Sequence, residues 1–513
     1  MRDLTGGGVK KLQPLWPHAL LIGFSGILII GMLNTGHDWG GDFSSYIMQA
    51  KALVEGEPGK FVDENRFTIV HTTRAIAPVA YPWGYPAMLA PIYAGFGENY
   101  IALKSVAVAC YLLLLIVIAV GFRKNHSGVW LLGLVGLFAV SPTLLAFLNR
   151  INSDIPFMFI STLGVFMIGR FVVQRRYFVS PVWDGIGLGL LIATASSIRS
   201  NGILLLVTLL LSQVVAWRMN RTSDGQPESR KPGSLLHALP YLAFFVVMLL
   251  LRATLPGGEE SHLDYLKQIT PGGIKYHLTY YGFLPTDFYE GIPYAFPVYL
   301  LTLPLAFLGI ARRLREDFYI VIYLVLTYIL YVLWPITQPI RFLFPILPFY
   351  LSFVLTGLEV LRGNTDYTRN RLRPAVCFLP VLFVFICFSW QSIGLAQNNL
   401  NRGRATVIGP HTQPSEEMFD FIRTYTEADS AVIFYKPRVM WMFTGRKAYS
   451  TRDLDNLSAA DYMVLLAEKQ KRQYQPDQVA QLIDQGLIEQ VYENSGFRVY
   501  RLVKREDVSA PKE

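Results

Sequence analysis

The chain has 513 residues, of which 52% are hydrophobic and 16% charged, against roughly 25% charged residues in an average soluble protein. With a mean hydropathy of +0.34, this excludes an ordinary soluble domain and implies a membrane protein. The formal charge of +9 has first to be located along the chain before it says anything about a nucleic-acid partner.

The N-terminal segment carries Arg2, Lys10 and Lys11 ahead of an apolar stretch but no small-residue cleavage site, and reads as a retained first span. Apolar runs able to approach or cross a hydrocarbon core of roughly 30 Å lie near residues 18–34, 101–121, 128–147, 155–174, 183–197, 200–217, 235–251, 294–311, 318–335, 342–360 and 374–392, which predicts eleven helices. Cys110, Cys377 and Cys387 fall inside such runs, so neither a disulfide framework nor a Cys/His metal cluster is on offer.

After the first span comes a long connection, 35–100. It opens with His37-Asp38-Trp39-Gly40-Gly41-Asp42 and continues with Phe43, Ile47, Ala50 and Val54 at helical spacing. That pattern fits a helix lying on the membrane surface, or equally an amphipathic helix packed on the bundle. Asp42 at its start has the ordinary role of a helix cap open to it, as does Asp154 before the fourth span in Asn149-Arg150-Ile151-Asn152-Ser153-Asp154. A short apolar piece at 84–95 is expected to dip into the interface. His37 beside Asp38 reads as a hydrogen-bonding partner in preference to a metal ligand.

The run from 183 to 217 is too long for one helix and has basic flanks on both sides, so it is expected to turn at Arg199. The segment 252–293 is rich in Gly, Tyr and His, and is read as a long loop without regular structure, either a lid or a segment without function. Arg341 opens the tenth span, and Arg74 lies in the first loop. An arginine at membrane depth is costly unless it is paired or faces a wet cavity. These three therefore either pair with Asp42, Asp154 or another acid, or bind an anion at the membrane surface, for which a guanidinium is suited.

From about residue 396 apolar runs shorten, and 16 basic residues balance 16 acidic ones. A helix over 415–428 opened by Ser415, strands at 431–435, 462–466 and 497–502, and a helix over 476–485 predict a small soluble α/β domain over 396–513.

With the N-terminus cytoplasmic, the inner connections hold 19 Lys and Arg and the outer ones of the membrane part 11, including Lys104. This satisfies the positive-inside rule and places the C-terminal domain outside. The basic balance thus records membrane orientation, and no nucleic-acid partner is expected. The same topology brings Asp42, Asp154, Arg199, Arg341 and Arg74 to one outer face.

Several motifs then carry a resemblance. They are Asp42-Phe43-Ser44-Ser45-Tyr46, Tyr81-Pro82-Trp83-Gly84-Tyr85-Pro86, Ser153-Asp154-Ile155-Pro156, Ser197-Ile198-Arg199-Ser200-Asn201-Gly202, and Arg341 with Pro345 and Pro348. In this order, over about residues 18–392, the chain resembles the GT-C superfamily of glycosyltransferases. Within it, the branch that uses polyprenyl-phosphate sugars is the most similar, with the protein O-mannosyltransferases and lipid A aminoarabinose transferases. The resemblance implies a polytopic helical membrane domain, 1–395, with large outer loops at 35–100 and 252–293. It implies transfer of a sugar from a polyprenyl-phosphate donor to a hydroxyl of a glycan, lipid or protein acceptor in a bacterial cell membrane, with inversion. Asp42 would be the base and Asp154 a second acid. Arg199, Arg341 or Arg74 would hold the donor phosphate, with Asp38, Tyr46 and Tyr85 in support. No metal or cofactor is expected, since the arginines can neutralise the leaving group. One departure is that many members have Asp-Glu at the first acid, where this chain has Asp42-Phe43. The alternatives are a lipid or sugar transporter or flippase, for which repeated halves would be expected, and a non-catalytic assembly protein on the same scaffold.

Overall fold

The computed structural model describes residues 14–73, 78–126, 128–221, 234–257, 269–363, 372–468, 471 and 473–503; Arg74 and residues 258–268 lie outside these. In chain order the helices are α1 (Trp16–Met32), α2 (Asp42–Glu55), α3 (Pro58–His71), α4 (Gly84–Phe96), α5 (Tyr100–Gly121), α6 (Gly128–Ala139), α7 (Pro142–Phe147), α8 (Asp154–Ile168) and α9 (Pro181–Ile198). They continue with α10 (Ile203–Arg221), α11 (Ser234–Thr254), α12 (Pro271–Phe283), α13 (Ala295–Val332), α14 (Leu347–Arg362), α15 (Leu372–Asn401), α16 (Gln413–Tyr425), α17 (Pro437–Thr444) and α18 (Pro476–Asp484).

Each of the eleven apolar runs falls in this helical set. Among the described residues eight helices are long and apolar enough to cross a membrane, and α1 and α6 are shorter apolar helices. The 38-residue α13 holds two of the expected spans, because Asp317 breaks the helical backbone at φ −115°, ψ 22°. Its carboxylate accepts from Arg313 Nε at 2.6 Å. The long run from 183 does turn at Arg199, which is extended at φ −147°, ψ 135° between α9 and the tight turn Ser200–Gly202. Gly202 permits that turn, since a Cβ there would lie 2.4 Å from the backbone carbon of Ala195.

For the loops, one expectation needs correcting and one open alternative is decided in favour of the packed helix. The segment 252–293 is not without regular structure: α12 is capped by the Thr270 side chain, and a 3-10 turn follows over Leu284–Tyr289. His277 bonds the Val332 carbonyl at 3.1 Å, and the Tyr281 hydroxyl accepts from the Gln338 amide at 2.8 Å, so the segment is tied to the bundle. In α2, Phe43, Ser44, Ser45, Tyr46, Ile47, Gln49, Ala50 and Ala52 are all buried. Covered on several sides, it is a helix packed within the protein. Gln49 locks it to the next segment, with its amide donating to the Tyr81 carbonyl and accepting from the Tyr81 amide.

The last membrane helix, expected over 374–392, runs to Asn401. Past it lies a five-stranded sheet of order β2-β1-β3-β5-β4, with β1 (Ala431–Ile433), β2 (Lys447–Tyr449), β3 (Tyr462–Leu466), β4 (Ile488–Glu493) and β5 (Phe497–Leu502). β1 is parallel to β2 and β3, while β5 is antiparallel to β3 and β4. The strand expected at 431–435 ends at Ile433, and β2, β4 and α17 have no counterpart among the expected elements. The helix expected to open at Ser415 begins at Gln413 after Thr412; Ser415 is buried and its hydroxyl donates to the Gly409 carbonyl.

Strand alternation explains how the sheet docks. Val432, Val464, Phe497 and Val499 join the large core that continues from the bundle, whereas Ile433, Met463, Leu465, Tyr500 and Leu502 face the other way, onto Val479 and Leu482 of α18. Trp39 is the plug at the junction, with Phe434, Tyr435, Phe497 and Phe419 around it at ring distances of 5.8, 5.6, 6.1 and 6.3 Å. The exposed edge at β2 is covered by the first loop: Thr68 donates to the Ala448 carbonyl, and Thr72 and Thr73 bond Ser450. This removes the free strand edge that would otherwise invite pairing.

Candidate functional site

Asp42 and Asp154 are first-turn residues of α2 and α8, where the helix dipole favours a carboxylate. Neither serves as the cap: the capping positions are Gly41 and Ser153, without side-chain caps. Both carboxylates turn instead toward arginines, forming one charged chain. Asp42 Oδ1 accepts from the Tyr81 hydroxyl at 2.8 Å. Asp42 Oδ2 accepts from Arg341 Nη1 and Nη2 at 3.1 and 3.2 Å. Arg341 Nη1 also stands 3.5 Å from Asp154 Oδ2, and Asp154 Oδ1 pairs with Arg199.

Local sequence places each member. The α9 hairpin turn delivers Arg199, and Gly84 lets α4 press against it, since a Cβ there would lie 2.5 Å from the backbone carbon of Ser197. Arg341 sits in a 3-10 turn, Ile340–Ile346, just after Pro339. The Phe342 ring takes cation–π contacts from both guanidiniums, its centre 4.5 Å from the guanidinium carbon of Arg199 and 5.2 Å from that of Arg341.

Accessibility separates these groups. The Asp154 side chain is 0% exposed and Arg199 16%, while Arg341 is 25% and Asp42 32% exposed. Asp42 and Arg341 line a cavity of about 310 Å³ with His37, Asp38, Trp39, Gly40, Phe43, Arg150, Ile151 and Asn152. Asp154 and Arg199 are behind it. Burial would push the Asp42 carboxyl up, but the Arg341 charge, the Tyr81 hydrogen bond and the Arg438 charge outweigh it and hold it below the usual carboxylate range. The Tyr81 hydroxyl is pushed well up, by burial first and by Asp42 next, so it stays protonated and donates.

The remaining predicted residues sit close by in other roles. Asp38 lines the cavity but is held by Arg150 Nε at 3.0 Å and by His37 Nδ1 at 3.0 Å, so it does not pair with Asp42. Its carboxyl is depressed: the burial that raises it is outweighed by His37 and Arg150. His37 Nε2 accepts from the Ile151 amide at 3.0 Å, which puts the ring proton on Nδ1, toward Asp38. Tyr46 bonds Ser153 at 3.0 Å and packs its ring 4.7 Å from Tyr81 and 4.9 Å from Tyr85. Tyr85 is fully buried, its hydroxyl without a partner, and supports Tyr46 by packing alone.

Three residues that sequence reasoning did not assign to the site belong to its frame. Tyr81 had a signal, its place in the aromatic-proline motif. Lys104, counted only as a loop charge, is buried and donates to the Asn34 carbonyl at 2.9 Å, to Asn34 Oδ1 at 2.6 Å and to the Gly36 carbonyl at 2.6 Å, fixing the approach to His37. Arg438, in α17, had no signal in a domain where charges balance.

No family model and no curated protein matches the sequence. Among solved structures the chain is similar to the transferase ArnT from Cupriavidus metallidurans. In the apo state it has 12% identity, a TM-score of 0.55, and coverage of 96% of this chain and 99% of that one. In the form bound to undecaprenyl phosphate it has 11% identity, a TM-score of 0.56, and coverage of 98% and 100%. It is also similar to an Archaeoglobus fulgidus oligosaccharyltransferase tethered to an acceptor peptide, with 8% identity, a TM-score of 0.53, and coverage of 89% of this chain and 69% of that one. At such identities the likeness is one of fold: this polytopic membrane protein shares the fold of these ArnT and oligosaccharyltransferase structures, in keeping with the resemblance carried by the motifs.

Proposed function

We propose that the protein is a membrane glycosyltransferase that moves a sugar from a polyprenyl-phosphate donor to an acceptor hydroxyl, with Asp42 as the base. The observation that carries this reading is the chain Tyr81–Asp42–Arg341–Asp154–Arg199, of which Asp42 and Arg341 line the 310 Å³ cavity. A structural neighbour of the same fold binds undecaprenyl phosphate, which supports the donor class.

In this reading the acceptor oxygen attacks the anomeric carbon from the face opposite the phosphate. The new C–O bond forms as the bond to the phosphate oxygen breaks, and the leaving phosphate takes the electron pair. The acceptor proton goes to Asp42. Because Arg341 and Tyr81 hold Asp42 well ionised, it is a weak base for an alcohol, so proton transfer has to accompany attack. Arg341 stabilises the negative charge that develops on the leaving oxygen, and direct displacement inverts the anomeric centre. Asp154, dry and paired, is a positioning residue: it holds Arg199 and Arg341 in register.

The excess of Lys and Arg on alternate connections supports a cytoplasmic N-terminus, with the site and the C-terminal domain on the outer face of a cell membrane. The test is photocrosslinking of a photoactivatable undecaprenyl phosphate to the full chain in lipid nanodiscs. Label on segments 37–46 and 338–346, competed away by unlabelled undecaprenyl phosphate, is expected. No label there would overturn the donor class and leave an assembly protein on this scaffold as the better reading.

A further inference from the structure

The end of the bundle away from Asp42 gathers four cations on one small surface. α8 starts at Asp154 and α9 ends beside Arg199. Their other ends, about 24 Å away at 1.5 Å per residue over 154–170, are joined by a π-helical turn, Gly169–Gln174, and the segment 175–180. Gly169 leaves room there for the Tyr319 ring of α13, since a Cβ would lie 2.3 Å from its Cζ. The turn closes where the amides of Arg175 and Arg176 both donate to the Arg170 carbonyl. Arg175 adopts φ 47° to do so, a left-handed conformation that residues other than glycine take at a cost. Three arginines thus share one turn. Lys124 joins them, because its 3-10 turn, Phe122–Lys124, leans on the last turn of α8: Phe122 packs 4.9 Å from the Phe166 ring. The charges of Arg170 and Arg176 are near enough to act on Lys124.

The described acids of this end are engaged elsewhere. Asp184 is buried and accepts from the Phe178 and Val179 amides at 2.7 and 3.1 Å. Glu316 and Asp317 take Arg313 at 3.1 and 2.6 Å, and Glu359 stands 3.5 Å from His126 Nδ1. Among the described residues no carboxylate pairs with Lys124, Arg170, Arg175 or Arg176, and the buried Nε of Arg170 has no hydrogen-bond partner. An apolar wall stands beside these cations. The Phe178 ring lies over Arg170, its centre 3.7 Å from the guanidinium carbon, and Phe178, Val179 and Trp183 are 68%, 78% and 64% exposed. Indoles and long basic side chains with apolar neighbours mark the level where acyl chains meet headgroups. A ligand seated here therefore meets cations at its polar end and rings along its apolar end.

We propose that this turn binds the headgroup phosphate of an anionic phospholipid, on the membrane face opposite the Asp42 cavity. Arg170, Arg175, Arg176 and Lys124 supply the positive charge, and Phe178 and Trp183 stand against the acyl chains. Guanidiniums suit a phosphate because one fork takes two of its oxygens, and basic pockets between spanning helices bind lipid headgroups. The inference is independent of the reaction proposed at Asp42.

Native mass spectrometry of the full chain in detergent tests it, with phosphatidylglycerol and zwitterionic phosphatidylcholine titrated in turn and the Tm of each variant recorded. A cation at a lipid surface is worth about a fivefold preference, so wild type is expected to retain phosphatidylglycerol over phosphatidylcholine by roughly tenfold or more. Arg170→Gln/Arg176→Gln should lose most of that preference. Arg312→Gln/Arg315→Gln removes two exposed charges from α13 at the same end of the bundle, which Asn125 and Asp317 hold together at 3.2 Å, and should keep it. Arg176→Gln alone alters one exposed side chain and should lose about fivefold at unchanged Tm, which separates the effect from misfolding. No preference in wild type, an unaltered preference in Arg176→Gln, or equal losses in the two double variants would overturn the site and leave diffuse attraction to charge. Displacement of the bound lipid by millimolar glycerol phosphate would overturn the lipid as ligand in favour of a soluble phosphate.

Discussion

The surroundings of Asp42 and Asp154 differ although the two carboxylates share Arg341. Both stand in the first turn of a helix, yet Asp42 is one-third exposed on a cavity wall and Asp154 is sealed. The sealed carboxylate has two arginines and no access to a substrate, whereas the open one has an arginine, a tyrosine and a cavity. On the proposed reading burial divides the labour: the charge of Asp154 goes to holding guanidiniums, and Asp42 keeps an oxygen open to the cavity where a reacting group would sit.

The largest expected effect breaks the open side. Asp42→Asn is nearly isosteric but cannot accept a proton, and loss of a general base costs roughly 10²- to 10⁴-fold in rate. Turnover of a polyprenyl-phosphate sugar, read as release of polyprenyl phosphate, should fall by that much with Tm nearly kept. Full turnover in this variant would remove Asp42 as the base.

Next comes the sealed side. Asp154→Ala leaves Arg199 buried and unpaired, and breaking a buried pair on one side costs about 3–5 kcal/mol. Its Tm should drop far more than that of Asp42→Asn. The double variant Asp154→Ala/Arg199→Met should regain much of the lost stability, because both buried charges are then gone. A double variant no more stable than Asp154→Ala would show that the pair is not what Asp154 contributes.

A third test sharpens how the two carboxylates are coupled. Arg341 holds the Asp42 carboxyl below its ordinary range, so the acid limb of the pH–rate profile should lie below the reference carboxylate value of about 4. Arg341→Gln removes a positive charge, which raises the Asp42 pKa and moves the limb to higher pH. The slower variant should therefore also be the more acid-sensitive one. An unmoved limb would mean that a different group titrates.

Much of this arrangement is legible in the sequence, and the gaps have physical causes. Apolar runs find the spans because lipid imposes their length and composition, and Arg199 marks a turn because a lone arginine inside a long apolar run has few other places to go. Asp42, Asp154, Arg199 and Arg341 are nameable from their motifs, but which arginine takes which carboxylate depends on how α2, α8 and the turns carrying the arginines pack together. Tyr81 lies in a quoted motif, and only the Gln49 lock brings its hydroxyl to Asp42. Arg438 is invisible because its burial arises between parts of the chain 360 residues apart. The strands β2 and β4 escape sequence reasoning for a similar cause. β2 is three residues long and finished by Thr68 and Thr72 of a distant segment, and β4 has only one buried residue, Ile488, so no run of apolar residues announces it.

The smallest expected effect falls on the rim. Asp38 and Arg150 are 40% and 44% exposed, so their pairing is screened, and such a pair contributes about 1 kcal/mol or less. Both residues also line a second cavity of about 540 Å³, with Asn34, Asn149, Asn398, Asn399 and Arg402 among its walls. The ion pair thus stands on the boundary between the space around Asp42 and this larger groove. Arg150→Gln should leave Tm almost unchanged, since the glutamine amide can still hydrogen-bond a carboxylate that retains His37. Any change is expected in apparent KM, where loosening the boundary alters how a substrate sits, with little effect on kcat. A Tm loss as large as that of Asp154→Ala would mean that exposure does not separate the structural ion pairs of this site from the accessible ones.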